Sequence, residues 1–343
     1  MNLNTPFPNL NPPIKLSWQK IVAKYHNSDL RRSLWQVFNS FAPFFVLWYL
    51  TYRSLEISYW LTLALTVPTA GFMMRIFIIF HDCGHGSFFK SQKANDFLGT
   101  LCGIVTFTPY HNWRRDHAIH HATSGDLDRR GIGDVKTLTV KEYLALPWYM
   151  RLGYRLYRHP LVLLVVGPVF LFVIGHRFAT RGAGKRERDS VLWTNIALLA
   201  IGAILNWAIG FKQLLLIQAP LMVIACTVGV WLFYVQHQFE QTTWERSENW
   251  DYATAALYGS SFYKLPKVLQ WFTGNIGFHH IHHLSPRIPN YELQKCHEEN
   301  PVFHEVATLT FLASLKSITL RLWDEEQKKL VGFGHLKSLR QSA

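Results

Sequence analysis

The chain has 343 residues, of which 49% are hydrophobic and 15% aromatic, and its mean hydropathy is +0.04. This composition argues against two ordinary soluble domains and indicates a membrane protein with a large water-exposed part. The formal net charge is +13, but no compact basic module can be separated from the apolar runs, which argues against a nucleic-acid-binding protein.

The first segment, residues 1–33, is expected to lie in the cytosol and to carry a helix at the membrane surface. Residues 1–13 are polar and rich in Pro and Asn, without the charged and then apolar pattern of a cleaved signal peptide. Residues 14–33 combine five Lys and Arg with apolar residues such as Trp18 and Tyr25. This pattern is typical of an interfacial amphipathic helix.

Four apolar runs approach the length of about 20 residues that a helix needs to cross a bilayer. They cover residues 34–50, 57–80, 191–209 and 214–235. Two weaker runs, 97–110 and 160–176, are shorter or more interrupted, and we expect them to lie at the membrane interface. We therefore predict an all-α integral membrane protein with four transmembrane helices, interfacial helices and a cytosolic helical cap. The alternative, that these runs are core helices of a soluble protein, fits their length poorly.

The basic residues predict the orientation of the four spans. With both termini in the cytoplasm, the two outer loops hold only Arg53 and Lys212, whereas 32 of the 35 basic residues lie on the inner side. An excess of Lys and Arg on the cytoplasmic side is the general rule for membrane proteins. We therefore expect a multi-pass protein of the cell membrane with both termini cytoplasmic.

The second predicted span continues without a clear break into His81, and His85 follows one helical turn later. Residues at i and i+4 project from the same face of a helix, so both imidazoles are expected just beyond the inner membrane surface. Asp82 adjoins His81, and we interpret it either as a carboxylate that orients a ligating imidazole or as an ordinary solvated acid.

A second histidine cluster follows the run 97–110. His117, His120 and His121 stand at i, i+3 and i+4, which again places them on one helix face. Asp116 is a further candidate for orienting a ligand, with the same alternative of a solvated acid. His111 lies about 600° of helical rotation from His117 and is left out of this cluster.

The fourth predicted span ends near His237, at the same inner membrane surface as His81. A single histidine at a helix end is often only an interfacial residue, so its position alone leaves both interpretations open.

The third cluster has four histidines in five residues, at positions 279, 280, 282 and 283. His279, His282 and His283 share a helix face, and His280 points elsewhere. Asn275 precedes His279 by four residues, and we expect it on the same face, where it would hold a metal-bound water. The remaining C-terminal residues are expected to form soluble helices that cover the site.

The clusters and His237 together supply nine imidazoles on one side of the membrane. Nine is too many for one ion but suits two metals with four or five ligands each and open positions. A dinuclear nitrogen site points to iron and dioxygen chemistry, whereas zinc would offer only hydrolysis. Residues 34–300 are therefore predicted to form the membrane and catalytic domain, followed by the cytosolic segment 301–343.

The four cysteines, Cys83, Cys102, Cys226 and Cys296, show no Cys-x-x-Cys pairing and would face cytosol or lipid. We therefore expect free thiols. Cys83 lies between two candidate ligands, but packing is its expected role.

The three histidine clusters resemble, in order and spacing, the three histidine boxes of the membrane-bound fatty acid desaturases. Their sequences are His-Asp-Cys-Gly-His, His-Ala-Ile-His-His and His-His-Ile-His-His. The resemblance extends from the first span to beyond Tyr291 and is closest to bacterial acyl-lipid enzymes of the delta-5 type. Val-Gln-His-Gln-Phe around His237 looks like the additional histidine of acyl-lipid members.

The resemblance implies a non-haem centre with two Fe(2+) ions per chain. Its ligands would be His81, His85, His117, His120, His121, His237, His279, His282 and His283. It also implies that dioxygen and two electrons from ferredoxin or flavodoxin are used to place a cis double bond in membrane phospholipid acyl chains. The chain lacks a His-Pro-Gly-Gly haem motif and a complete dinucleotide loop, so the electron donor is expected to be a separate protein.

Two other functions remain as alternatives. A hydroxylase or ketolase acting on an alkane, sterol or carotenoid would use the same boxes, and only its product would distinguish it. A metal-binding transporter or sensor would need ionisable residues along its transmembrane path. The four apolar runs hold only one such residue, Arg75, which argues against this alternative.

Overall fold

The computed structural model describes residues 12–337, so the polar segment before Pro12 and the last six residues lie outside it. The chain begins with α1 (Pro12–Ala23), which the sequence assigns to the membrane surface. Its Trp18 ring lies 6.2 Å from the Tyr252 ring, and Val22 is buried in the cluster formed by the later helices. Part of α1 therefore packs against the cap, and its place at the membrane surface stays a prediction.

Four long helices contain the four apolar runs: α2 (Leu30–Ser54), α3 (Tyr59–His85), and, further along the chain, α9 (Lys185–Ile209) and α10 (Phe211–His237). Within the described part of the chain, α3, α9 and α10 are both long and apolar enough to cross a membrane. The helix α2 is long enough but carries polar residues such as Gln36 and Ser40, which it buries. The expected span 34–50 therefore does not stand out by composition.

Between α3 and α9 the chain forms shorter elements. These are α4 (Gln92–Val105), α5 (Tyr110–Thr123), β1 (Leu138–Thr139), α6 (Val140–Ala145), α7 (Trp148–Tyr157), a π-helical turn (Val162–Val166), α8 (Gly167–Val173) and a 3₁₀ turn (Gly175–Arg177). The segments Trp148–Tyr157 and Val162–Arg177 together are apolar enough for a fourth span, but they are bent by 60°. The run 160–176, expected at the interface, thus belongs to a broken helix.

After α10 the chain forms the cap. Its elements are α11 (Tyr252–Tyr258), β2 (Phe262–Lys264), α12 (Lys267–Phe272), α13 (His279–Leu284), α14 (Asn290–Glu298), 3₁₀ turns at Pro301–Phe303 and Leu315–Thr319, β3 (Thr308–Thr310), α15 (Phe311–Ser314), β4 (Leu322–Asp324) and β5 (Lys329–Val331). Parallel pairing joins β2 to β3 and β1 to β4, and β5 runs antiparallel to β4.

The prediction of a purely helical C-terminal segment is wrong, because residues 301–337 contain three short strands. Each strand has three residues, too few to show the alternation by which strands are recognised in a sequence. Two of them also pair with distant strands, since Leu322 pairs with Leu138 and Thr308 pairs with Phe262. The prediction of free thiols is confirmed: all four cysteines are unpaired and buried.

Candidate metal centre

The C-terminal ends of two long helices carry three of the histidines. His81 and His85 occupy the last turn of α3, which ends where Gly86 adopts a left-handed conformation (φ 70°). His237 is the last residue of α10. Because both helices extend beyond their apolar parts, they place these imidazoles at one end of the helical bundle.

Two shorter helices supply the other histidines. The helix α5 carries His117, His120 and His121, and the six-residue helix α13 carries His279, His282 and His283. Close packing holds α5 against α4, since a Cβ at Gly99 would lie only 2.2 Å from the Tyr110 ring. The Tyr110 hydroxyl also donates a hydrogen bond of 2.6 Å to the Cys83 carbonyl, which links α5 to α3.

The structure brings all nine predicted histidines together, eight of them in two adjacent groups. The first consists of His81, His85, His117, His121 and His282, and the second contains His120, His237 and His283. Within each group the candidate ligand atoms lie within 4.8 Å of one another. His279 lies beside the second group, with its Nε2 2.9 Å from Nε2 of His237. The groups meet where the His121 and His283 rings stack at 4.1 Å.

The arrangement of nitrogen atoms fits metal ions better than hydrogen bonds. Nε2 of His121 lies 3.1 Å from that of His117 and 3.0 Å from that of His282, yet a neutral imidazole carries one proton for its two nitrogens. Nε2 of His85 and of His283 are buried and make no hydrogen bond to any residue of the described chain. Ligand nitrogens about 2.1 Å from a shared ion would lie about 3.0–3.4 Å apart, which matches these contacts.

The protonation state of the histidines also suits metal binding. Burial, and then the neighbouring imidazoles, lower the pKa values of His117, His121, His279, His282 and His283 well below the usual value. These rings are therefore neutral at physiological pH, and the neutral imidazole is the form that ligates metals.

Two carboxylates hold ligand candidates in place. Asp82 Oδ1 lies 3.3 Å from His81 Nδ1, and its Oδ2 accepts hydrogen bonds from the backbone and side-chain amides of Asn290 at 2.7 and 2.8 Å. Asp134 Oδ1 lies 2.5 Å from His120 Nδ1. Sequence reasoning missed Asp134, because it ends a glycine-containing loop fourteen residues after His120 and follows no helical spacing.

The other two predicted orienting residues lie away from the histidines. Asp116 pairs with Arg115 and accepts a hydrogen bond from Thr180. The expectation that Asn275 shares a helix face with His279 is wrong, because α13 begins only at His279 and Asn275 lies in a turn with φ 58°. Its side-chain amide donates to the Asn290 carbonyl at 3.1 Å instead.

His111 and His280, which the sequence analysis excludes as ligands, lie outside both groups. His280 Nε2 lies 3.2 Å from His297 Nδ1, so this ring contacts α14. The backbone amide of His111 donates to Ser190 on α9, and its ring packs against Tyr110. The long apolar helices and the two adjacent histidine groups at one end of them fit the class of membrane-bound enzymes with a histidine-rich metal centre.

Comparison with known proteins identifies the family. The fatty acid desaturase family model matches residues 58–310. A fatty acid desaturase of Bacillus subtilis is 51% identical over 320 residues, which cover 93% of this chain and 91% of that protein. The chain belongs to the fatty acid desaturase family, and it is an oxidoreductase of fatty acids.

Two further relatives are more distant. An sn-1 acyl-lipid omega-3 desaturase (ferredoxin) of Synechocystis sp. is 31% identical over 239 residues, which cover 65% of this chain and 62% of that protein. A protein of the same name from Nostoc sp. is 30% identical over 264 residues, which cover 73% of this chain and 69% of that protein.

Proposed function

We propose that this protein is an acyl-lipid desaturase that places a cis double bond in the acyl chains of membrane phospholipids. The two adjacent histidine groups carry this proposal, and all their members except the half-buried His85 and His117 are buried. In the reaction, two C–H bonds of the acyl chain are lost and one C=C bond forms. One dioxygen is reduced to two waters by two electrons from the substrate and two from the donor, with two protons taken from solvent.

The proposed cofactor is a pair of Fe(2+) ions, one in each histidine group, with His279 completing the second. When bound, the pair supplies the activation of dioxygen that the breaking of an unactivated C–H bond requires. The protein fixes the rings: Asp82 and Asp134 hold the Nδ1 side of His81 and His120. Burial of the rings excludes bulk water and so protects the site from side reactions.

A small cavity lies between the end of α10 and the loop that follows α5. It is lined by His237 and Asp134, by the charged side chains of Asp126 and Arg130, and by Phe233 and Trp244. We propose the membrane placement that the basic residues predict, with four spans including 34–50, and with both termini and the metal centre in the cytoplasm. Acyl chains of the inner leaflet would then lie on the same side as the site.

The electron donor in this proposal is ferredoxin or flavodoxin. Two of the relatives carry ferredoxin in their names. The inner side of this chain holds 32 of its 35 basic residues, and such a surface speeds encounter with a small acidic protein. We propose carbon 5 as the position of the double bond, by resemblance to the delta-5 enzymes.

The test is expression of the full chain, with ferredoxin or flavodoxin, in a host whose membrane lipids are saturated. New monoenes and their double-bond position are then measured by mass spectrometry. The wild type should produce them, His120→Ala should not, and His111→Ala should, because His111 lies on the same helix outside both groups. Hydroxylated or keto products from the wild type would support the hydroxylase or ketolase instead. Unchanged lipids with an active donor would refute the proposal.

A further inference from the structure

Two short helices of the cap expose large apolar side chains. The exposed fractions are 67% for Val268, 44% for Leu269 and 41% for Trp271 on α12, and 48% for Phe311, 76% for Leu312 and 44% for Leu315 at α15. Single exposed apolar residues are common on soluble surfaces, but contiguous groups mark a contact with a partner or a membrane. Where α12 and α15 lie along the long helices α3 and α10 decides between a partner protein and a membrane.

The helix α12 packs against the middle of α3, well away from its metal-binding end. The Phe72 ring contacts Trp271 and Phe272 at centroid distances of 5.8 and 5.1 Å. Gly71 makes room for this contact, since a Cβ there would lie 3.0 Å from Phe272. Arg75 donates a hydrogen bond to the Trp271 carbonyl and lies 3.8 Å from the centre of the Trp271 ring.

These contacts place α12 at the depth of the bilayer. A helix rises about 1.5 Å per residue, so Phe72 lies about 13 Å along α3 from His81. A hydrocarbon layer about 30 Å thick spans about 20 residues, so a layer that begins at Tyr59 ends close to Ile79. Phe72, and α12 beside it, then lie about 10 Å inside the hydrocarbon region.

The strands that precede α12 and α15, β2 and β3, lead in the same direction, away from the His237 end of α10. The Ser261 amide donates to the Gln236 carbonyl at 3.1 Å, and two residues later the Tyr263 hydroxyl accepts from Trp231 Nε1 at 3.3 Å. The contacts of this segment with α10 therefore shift by about five residues, or about 7 Å, away from the His237 end of that helix. The strand β3 runs parallel to β2, and α15 follows it directly.

We infer that α12 and α15 insert side by side into the inner leaflet, where their apolar side chains contact lipid acyl chains without crossing the bilayer. This inference rests on the membrane placement given with the proposed function. Lys264 and Lys267 are exposed at the start of this excursion, where long amines reach the phosphate region while their stems stay apolar. Because α12 leads into α13, the bilayer would hold the helix that carries the third cluster.

The experiment uses the full chain reconstituted in phosphatidylcholine–phosphatidylglycerol vesicles. Since the four native cysteines are buried, a fluorescent maleimide reports on one introduced thiol. The variants are Leu269→Cys on α12 and Leu312→Cys at α15. Leu199→Cys on the exposed face of α9 is the membrane reference, and Glu326→Cys, exposed in the turn between β4 and β5, is the aqueous reference.

Nitroxide-labelled lipids should quench the labels at 269 and 312 as strongly as the label at 199, and iodide should quench them several-fold less than the label at 326. Strong iodide quenching at 269 or 312 would place that helix in water and overturn the inference for it. Iodide quenching at 199 would overturn the placement of the spans, and the inference with it. Lipid analysis of the same variants in the saturated host tests desaturation separately.

Discussion

Replacing Asp134 should weaken the second histidine group without removing a ligand. Asp134 Oδ1 lies 2.5 Å from Nδ1 of His120, whose side chain is 1% exposed, so the carboxylate fixes both the ring orientation and the tautomer that leaves Nε2 free. Loss of such a partner typically lowers metal affinity 10- to 100-fold, or by about 1.4–2.7 kcal/mol. We expect about 10-fold for Asp134→Asn, which keeps an acceptor, and about 100-fold for Asp134→Ala.

The assay is competition between the purified protein and a chelator of known iron affinity, with the iron content per chain measured by elemental analysis. Asp128→Asn is the matched control, because Asp128 lies in the same loop but pairs with Arg246 and the Ser247 amide. It should bind iron as the wild type does. Equal iron affinity in the Asp134 variants and the wild type would refute the argument that this carboxylate orients the ligand.

Three further outcomes are expected. Removal of iron by a chelator should lower Tm in a thermal unfolding assay, since an ion that binds only the folded chain stabilises it; an unchanged Tm would contradict metal binding. Arg158→Met should destabilise the fold by about 3 kcal/mol, because the fully buried guanidinium donates to Gln238 and to the Leu320 carbonyl; a Tm equal to that of the wild type would contradict this. Gly99→Ala should lower Tm, since the added Cβ would collide with Tyr110, whereas Gly153→Ala, with open space around it, should not; equal effects of the two would argue against the close packing of α4 and α5.

The parts of the centre that follow helical periodicity could be predicted from the sequence. His81 and His85 continue an apolar run, and the i, i+3, i+4 spacing of the other two clusters places their histidines on a common helix face. Local rules are therefore enough to group these eight residues. His237 has no such neighbour, and only the resemblance identified it as a ligand. Asp134 reaches His120 through a loop whose path depends on tertiary contacts. The Asn275 prediction failed because it extended a helix back through a turn.

The fold shows the same division between local and distant determinants. The long apolar helices α3, α9 and α10 follow from composition and length. The burial of the polar face of α2 could not be predicted, because its partners lie far along the chain. Gln36, for example, donates a hydrogen bond to the side chain of Asn290. The strands β1 and β4 are equally hidden, since each has two or three residues and pairs across most of the chain.

Consecutive residues on two helices divide between the two histidine groups: His120 and His121 on α5, and His282 and His283 on α13. Successive side chains on a helix diverge by about 100°, so each helix reaches both groups from a single turn. The separation between the two groups is therefore set by the backbone geometry of α5 and α13. A one-residue insertion in α5 just before His120 would turn His120 and His121 together by about 100°, and would therefore disturb both groups at once.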